Sequence, residues 1–163
     1  MILIPKTRVA VLIGTKGSVK RAVEKSAKVK LRISSSGTVS IRGKDALEVM
    51  TAKNVIEAIA RGFNPVIAKA LLNEDSSFVV MHVEDYIGKR TDLDRIRGVL
   101  IGAEGKSRRI LEDATSTHIS IQGKTVAIIG PAEGVSKARQ AVEMFLTGAR
   151  HATVYKFLGR RDD

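Results

Sequence analysis

Cysteine is absent from these 163 residues, so the chain holds no disulfide framework, no thiolate metal site and no thiol nucleophile. The three histidines, His82, His118 and His151, lie too far apart in sequence for metal-ligand spacing, and neither a metal nor a cofactor is expected. Apolar runs stop at a handful of residues, far short of the roughly 20 that span a bilayer. The N-terminal Met1-Ile2-Leu3-Ile4-Pro5 lacks the charged start of a signal peptide. A soluble, intracellular protein of the cytoplasm is therefore expected, with no membrane partner. Aromatic residues make up only 4% of the chain, and tryptophan is missing. Acidic residues are scarce as well: 17 stand against 28 Lys and Arg, a net charge of +11. An excess this large in a small protein favours a polyanionic partner, nucleic acid before an anionic membrane. The plainer reading is a surface charged for solubility.

What is present is a repeat. Val11-Leu12-Ile13-Gly14-Thr15-Lys16-Gly17 recurs as Val99-Leu100-Ile101-Gly102-Ala103-Glu104-Gly105. The agreement continues at one offset: Lys20 and Arg21 match Arg108 and Arg109, Glu24 matches Glu112, and Leu31 and Ile33 match Ile119 and Ile121. After one residue is dropped from the second copy's turn, Val39, Ile41 and Gly43 match Val126, Ile128 and Gly130. Two copies of this length mean two domains rather than a solenoid.

Each copy reads alike. Arg8 to Ile13 is a short apolar segment before the glycine pair, and Val19, Ala22 and Val23 follow at helical spacing on a helix from about Ser18 to Ala27. Val29, Leu31 and Ile33 alternate with Lys28, Lys30 and Arg32, which predicts a strand turning at Ser35-Ser36-Gly37 into a second strand, Thr38 to Arg42. Asp45 is a natural N-cap for a long helix ending near Gly62. With Ile2 to Ile4 as an opening strand, the order is strand, helix, helix, strand, strand, helix. In the second copy the same elements are expected at Phe78 to Val83, Asp92 to Ile101, Ser107 to Thr115, His118 to Gln122, Thr125 to Ile129 and Ala132 to Thr147. Asn64-Pro65 breaks the chain between the copies, and Val66 to Leu72 reads as a short connecting helix. The expected division is a first domain over 1–63, a linker over 64–75, a second domain over 76–148 and an extension over 149–163. The extension's end, Val154-Tyr155-Lys156-Phe157-Leu158, is too apolar for a loose tail and is expected to pack back as a short helix.

With 14 glycines in the chain, chance supplies roughly one Gly-x-x-Gly, so the spacing alone says little. Position gives it meaning, because each pair lies between two short helices. Glycine there permits unusual dihedrals and keeps side chains from holding off a nucleic-acid strand. The loop amides and the following helix N-terminus then offer hydrogen bonds and a positive dipole end to phosphates. A plain helix-helix turn is the alternative for one loop alone, and a repeat within a basic chain makes it the weaker reading for both. Nucleotide-binding enzymes fit poorly: neither Gly-x-x-x-x-Gly-Lys-Ser/Thr nor Gly-x-Gly-x-x-Gly between strand and helix occurs, and no enzymatic activity is expected.

Strand, helix, Gly-x-x-Gly, helix, hairpin, helix, with isoleucine before the first glycine, resembles the type I KH fold, here in tandem: an α+β protein in which each unit packs a three-stranded antiparallel sheet against three helices. Gly102 to Lys106, the strand Lys124 to Gly130 and the tail Thr153 to Leu158 further resemble the archaeal relatives of the ribosome-assembly factors Krr and Dim, the latter also called partner of Nob. That resemblance implies a non-catalytic protein binding single-stranded RNA near the 3′ end of small-subunit ribosomal RNA. It also implies neighbours in ribosome assembly: the endonuclease that trims the RNA, and assembly or translation initiation factors. In this family about four nucleotides lie beside the glycine loop.

Carried onto this sequence, the resemblance makes Gly14, Thr15, Lys16 and Gly17 the first loop, with Lys20 and Arg21 behind it as phosphate partners. Gly102, Ala103, Glu104 and Gly105 form the second, where Glu104 puts an anion at a position better suited to a basic or neutral residue, and Lys106, Arg108 and Arg109 compensate. Ile13 and Ile101 are expected as apolar floors of the base groove, and Lys30, Arg32, Ser120 and Gln122 as polar contacts from the strands. For Lys30 and Arg32 a solvated outer sheet face is the competing reading. The scarcity of aromatics argues against stacking platforms of the RRM or OB kind. Charge is unevenly shared: residues 1 to 62 hold 13 basic against 4 acidic side chains, and residues 63 to 163 hold 15 against 13. The first unit is thus expected to supply general electrostatic affinity, and the second more of the placement. A KH protein of RNA degradation, a general single-strand DNA binder and a protein-docking scaffold are the alternatives.

Overall fold

In the computed structural model, residues 1–87 and 93–159 are described. They form two compact units, which divide between Ser76 and Ser77.

In the first unit, α1 (Lys6–Ile13) starts directly after Pro5 and buries Val9 and Leu12, two turns being all that the sequence allows before Gly14. Next, α2 (Ser18–Ala27) buries Val23 and Ala27 along one face, while Arg21 and Lys25 stay outside. Strands β2 (Lys30–Ile33) and β3 (Thr38–Arg42) form the expected hairpin, in register from Lys30 opposite Arg42 to Ile33 opposite Val39. Leu31 and Val39 are buried while Lys30, Arg32 and Arg42 are exposed, the two-residue alternation of a sheet covered on one side. Strand β1 (Ile2–Leu3) pairs with the other edge of β3, giving the order β1-β3-β2. Asp45 caps α3 (Ala46–Ala60), accepting from the Leu47 N–H at 2.9 Å, and α3 lays Ala52, Val55, Ile56 and Ile59 on the core. Arg8 binds the far end of that helix, donating to the Ile59 and Phe63 carbonyls at 2.8 and 2.9 Å. Burial there holds its pKa below the ordinary arginine value. The connecting segment is a single helical turn, α4 (Pro65–Ala68), continued by a 3-10 turn over Lys69–Leu72, and it packs against α3 with Ala68 and Leu71 buried.

The second unit repeats the plan. Strand β4 (Ser76–His82) is followed by a helical turn absent from the sequence-based expectation, α5 (Glu84–Ile87). The next helix, α6, is described over Leu93–Ile101, and the expected start at Asp92 lies outside the described residues. Then come α7 (Lys106–Thr115), β5 (His118–Gln122), β6 (Thr125–Pro131) and α8 (Ala132–Leu146). Sheet order is β4-β6-β5, so β5, like β2, is an outer strand. A final helix, α9 (His151–Phe157), packs on α8 and adds Val154, Tyr155 and Leu158 to this unit's core. Among the described residues no helix is long and apolar enough to cross a membrane.

Candidate nucleic-acid interface

Helix α1 ends because Gly14 leaves helical geometry, at φ 75° and ψ 172°, while its N–H still reaches the Ala10 carbonyl at 2.9 Å. The chain then makes one 3-10 turn over Thr15–Gly17, closed by Gly17 N–H donating to Gly14 O at 3.1 Å. Lys16 sits at φ 54° and Gly17 at φ 76°, both left-handed. The second loop has the same path: Gly102 at φ 75° and ψ 172°, Glu104 at φ 53°, Gly105 at φ 76°. Two stretches that share only their glycines thus fold to the same turn within a few degrees.

The first glycine of each pair is fixed by packing as well as by φ. A Cβ on Gly14 would lie 2.5 Å from the Val19 Cγ2 and 2.7 Å from the Val19 nitrogen, and one on Gly102 would lie 2.7 Å from the Ser107 nitrogen. Any side chain there would push α2 or α7 away from its loop. Thr15, Lys16, Ala103 and Glu104, by contrast, are exposed. Gly17 and Gly105 serve as N-caps of α2 and α7, and neither helix has a side-chain cap or an acidic residue in its first turn. The positive end of each helix dipole is therefore left for an outside anion.

The basic residues behind the loops divide into two groups. Arg21 and Arg109 turn back on their own loops, each Nη1 donating to the carbonyl of the third loop residue, Lys16 at 2.5 Å and Glu104 at 2.6 Å. Sequence reasoning assigned them to phosphate alone; they are also braces that hold the left-handed residue in place. Arg108 is half-buried, with its Nε 3.8 Å from Glu112 Oε1. Lys16 and Lys106 stand in solvent, and Lys20 is half-buried.

Glu24 and Glu112, matched in the repeat without an assigned role, tie each outer strand to its helix. Glu24 Oε2 accepts from the Leu31 N–H and Glu112 Oε2 from the Ile119 N–H, both at 2.8 Å. In each case the carboxylate takes one amide on the free edge of the strand, fixing the width between the loop helices and β2 or β5. Ile13 and Ile101, at the ends of α1 and α6, are half-buried next to the loops. Lys30 and Arg32 project from the face of β2 opposite buried Leu31, among Ser40 and Arg42. Ser120 and Gln122 occupy the corresponding face of β5; both are half-buried and already engaged within the chain. His151 is a packing residue, its Nε2 3.0 Å from the Val99 carbonyl and its ring 5.1 Å from Phe145 and 5.8 Å from Tyr155.

Known proteins match this arrangement along the whole chain. Residues 1–58 fit the profile of the KH domain, and residues 77–163 that of the eukaryotic type KH domain, KH-domain type I. A KH domain-containing protein of Methanocaldococcus jannaschii is 49% identical over 161 residues, an alignment that takes in 96% of this chain and 71% of that one. The pre-rRNA-processing protein PNO1 of Chaetomium thermophilum is 35% identical over 138 residues, 82% of this chain but only 51% of its own length. Among solved structures, Dim2p of Pyrococcus horikoshii superposes with a TM-score of 0.90 at 41% identity, over 98% of this chain and 97% of that one. The a/eIF2alpha–aDim2p–rRNA complex of the same organism contains a chain matching with a TM-score of 0.91 at 40% identity, over 97% and 90%. With both units matched and the archaeal relatives covering 96% or more of it, this chain belongs to the tandem KH-domain family of archaeal Dim2p and PNO1.

Proposed function

We propose that this protein is a non-catalytic binder of single-stranded RNA that uses both glycine loops as phosphate clamps, and that its target is the 3′-end region of small-subunit ribosomal RNA during ribosome assembly in the cytoplasm. The observation that carries the reading is the identity of the two loops in backbone geometry, each leading into a helix N-terminus with no acceptor of its own. A mere turn would not need an uncapped, positively polarised helix end in both copies. The ribosomal target is supported by the pre-rRNA-processing role in the name of PNO1 and by the rRNA and a/eIF2alpha bound to Dim2p in the Pyrococcus horikoshii complex. By the same likeness, translation initiation factor 2 alpha is a proposed protein partner, and the endonuclease that trims the RNA is proposed on the family resemblance of the sequence.

In this mechanism the loop amides and the first turn of α2 or α7 receive backbone phosphates, and Lys16, Lys20 and Lys106 add charge. Arg21 and Arg109 keep the loops preformed, so little conformational freedom is lost on binding. Ile13 and Ile101 present apolar surface to the bases. Glu104 adds no cation to the second loop, which therefore relies on its backbone N–H groups as donors to the phosphate.

The test is fluorescence anisotropy with an RNA of the small-subunit 3′-terminal sequence and a scrambled control. Variants at Gly14 or Gly102 would distort the loops, so negative charge is introduced at the exposed middle positions, Thr15→Asp with Lys16→Asp in one loop and Ala103→Asp in the other. An aspartate beside the loop amides repels the phosphate and opposes charged hydrogen bonds worth about 1.5 to 3 kcal/mol each, so binding weakens about tenfold or more per loop while the circular dichroism stays that of the wild type. An effect in one loop alone makes the other unit a docking surface. No effect in either means the loops are turns only, and equal affinity for the scrambled RNA removes the ribosomal assignment.

A further inference from the structure

Six of the first unit's cations gather in one place. A concavity of about 940 Å³ opens where the C-terminal half of α2 meets the start of β2 and the end of β3, lined by Arg21, Lys25, Lys28, Lys30, Arg42 and Lys44. All six cations are exposed, and none is among the ion pairs of the described residues. Only Glu24 and Glu48 oppose them, and Glu24 is already committed to the Leu31 amide. Lys25 and Lys28 complement the negative end of α2, but a helix dipole worth half a charge does not account for six.

The second unit supplies an internal control. At the positions matching Lys25, Lys28, Lys30, Arg42 and Lys44 the repeat carries Asp113, Ser116, His118, Ile129 and Pro131, and of the six cations only Arg21 keeps a basic counterpart, Arg109. The fold therefore does not need this charge. Gathering like charges around one hollow destabilises the free protein and raises the local concentration of a polyanion. Continuity with the first loop indicates which polyanion, because Arg21 both braces the Lys16 carbonyl and lines the hollow.

We infer that this concavity is a second phosphate site, present in the first unit only, which holds the backbone of the RNA beyond the nucleotides gripped at the Gly14-Thr15-Lys16-Gly17 loop. The inference rests on the RNA-binding reading above and deepens it. Its ligand is recognised by charge, not by base, so it lengthens the bound segment without narrowing its sequence.

The experiment compares the wild-type chain with a Lys25→Gln, Lys28→Gln, Lys44→Gln variant, whose three positions lie outside the loop machinery. Binding is measured for RNAs of about four nucleotides, the length one KH unit clamps, and for RNAs three times as long, over several salt concentrations. For the long RNA we expect affinity to fall about tenfold or more and the slope of log K against log salt to shrink by about 0.7 for each phosphate that is no longer neutralised, near 2 in total. For the short RNA we expect no change. Equal losses for both lengths, or none for either, overturn the second site while leaving the loop clamps standing. A wild-type chain that binds neither RNA overturns the underlying reading and the inference with it. Polyglutamate is the third ligand: if the substitutions abolish its binding and spare that of the long RNA, the hollow receives an acidic protein surface and the RNA assignment fails.

Discussion

At the scale of single residues, the left-handed positions show most directly how sequence and structure meet. Lys16 and Glu104 adopt φ near +54° although neither is glycine, a conformation that costs a non-glycine residue about 1 to 2 kcal/mol. The bonds from Arg21 and Arg109 to their carbonyls offset part of that cost. The same conformation recurs at Lys28 and Ser116, the C-caps of α2 and α7, with φ 57° and 56°. Ser116 is exposed, and its role at the helix end is carried by its backbone. Ser116→Gly is expected to stabilise the protein by about 0.5 to 1 kcal/mol, the relief of left-handed strain less the greater entropy loss of glycine. Urea unfolding measures it, and a loss of stability would mean that the serine side chain contributes an interaction outweighing the strain.

Among elements, the repeated pairs separate into those that build the fold and those left for a ligand. Glu24 and Glu112 carried no assigned role in sequence beyond their match in the repeat, since a bond to a backbone amide seven residues away on the next element has no signature in composition. The outer strands β2 and β5 give that bond its meaning, because an edge strand carries amides that no neighbouring strand satisfies. Gly134, inside α8, shows the opposite sign of a familiar rule. Alanine in a helix interior normally gains about 1 kcal/mol over glycine, but a Cβ here would stand 2.1 Å from the Thr115 carbonyl oxygen. That atom is backbone at the end of α7 and cannot rotate away. Gly134→Ala is therefore expected to destabilise by about 1 to 3 kcal/mol, the range for overpacking, with a lowered thermal midpoint as the readout. A raised midpoint would show that α8 can shift at no cost.

For the whole molecule, two clamps on one chain act together only if a single RNA spans them. Under the proposed function, an RNA long enough to engage both units binds more tightly than one that fills either, by a factor of about 10² to 10⁴. Titrating RNAs of increasing length should give a step in affinity, and the loop variants of either unit should erase the step while leaving short-RNA binding at the intact loop. A smooth dependence on length, unaffected by the second loop, would mean that one clamp works alone. The unequal charge of the units, 13 basic against 4 acidic residues in 1 to 62 and 15 against 13 in 63 to 163, makes loss of the first loop the more salt-sensitive of the two.

The duplication, the order of elements and most of their bounds were legible in the linear chain, because those depend on local periodicity and on glycine and capping residues that act within a turn or two. Ser18–Ala27, Thr38–Arg42 and His118–Gln122 fall where the pattern puts them, and Asp45 caps the helix it precedes. Short terminal elements were less legible: β1 stops at Leu3 instead of Ile4, and α5 is a single turn too brief to carry a period. What each polar side chain faces was settled by folding in three dimensions. Packing turned Arg21 and Arg109 back onto their loops, sent Arg8 to the end of α3, and set Lys30 and Arg32 on the sheet face opposite buried Leu31. It also gathered six cations from α2, β2, β3 and the segments flanking them around one hollow. Those outcomes depend on distances between elements far apart in the chain, which packing fixes and a linear pattern does not encode.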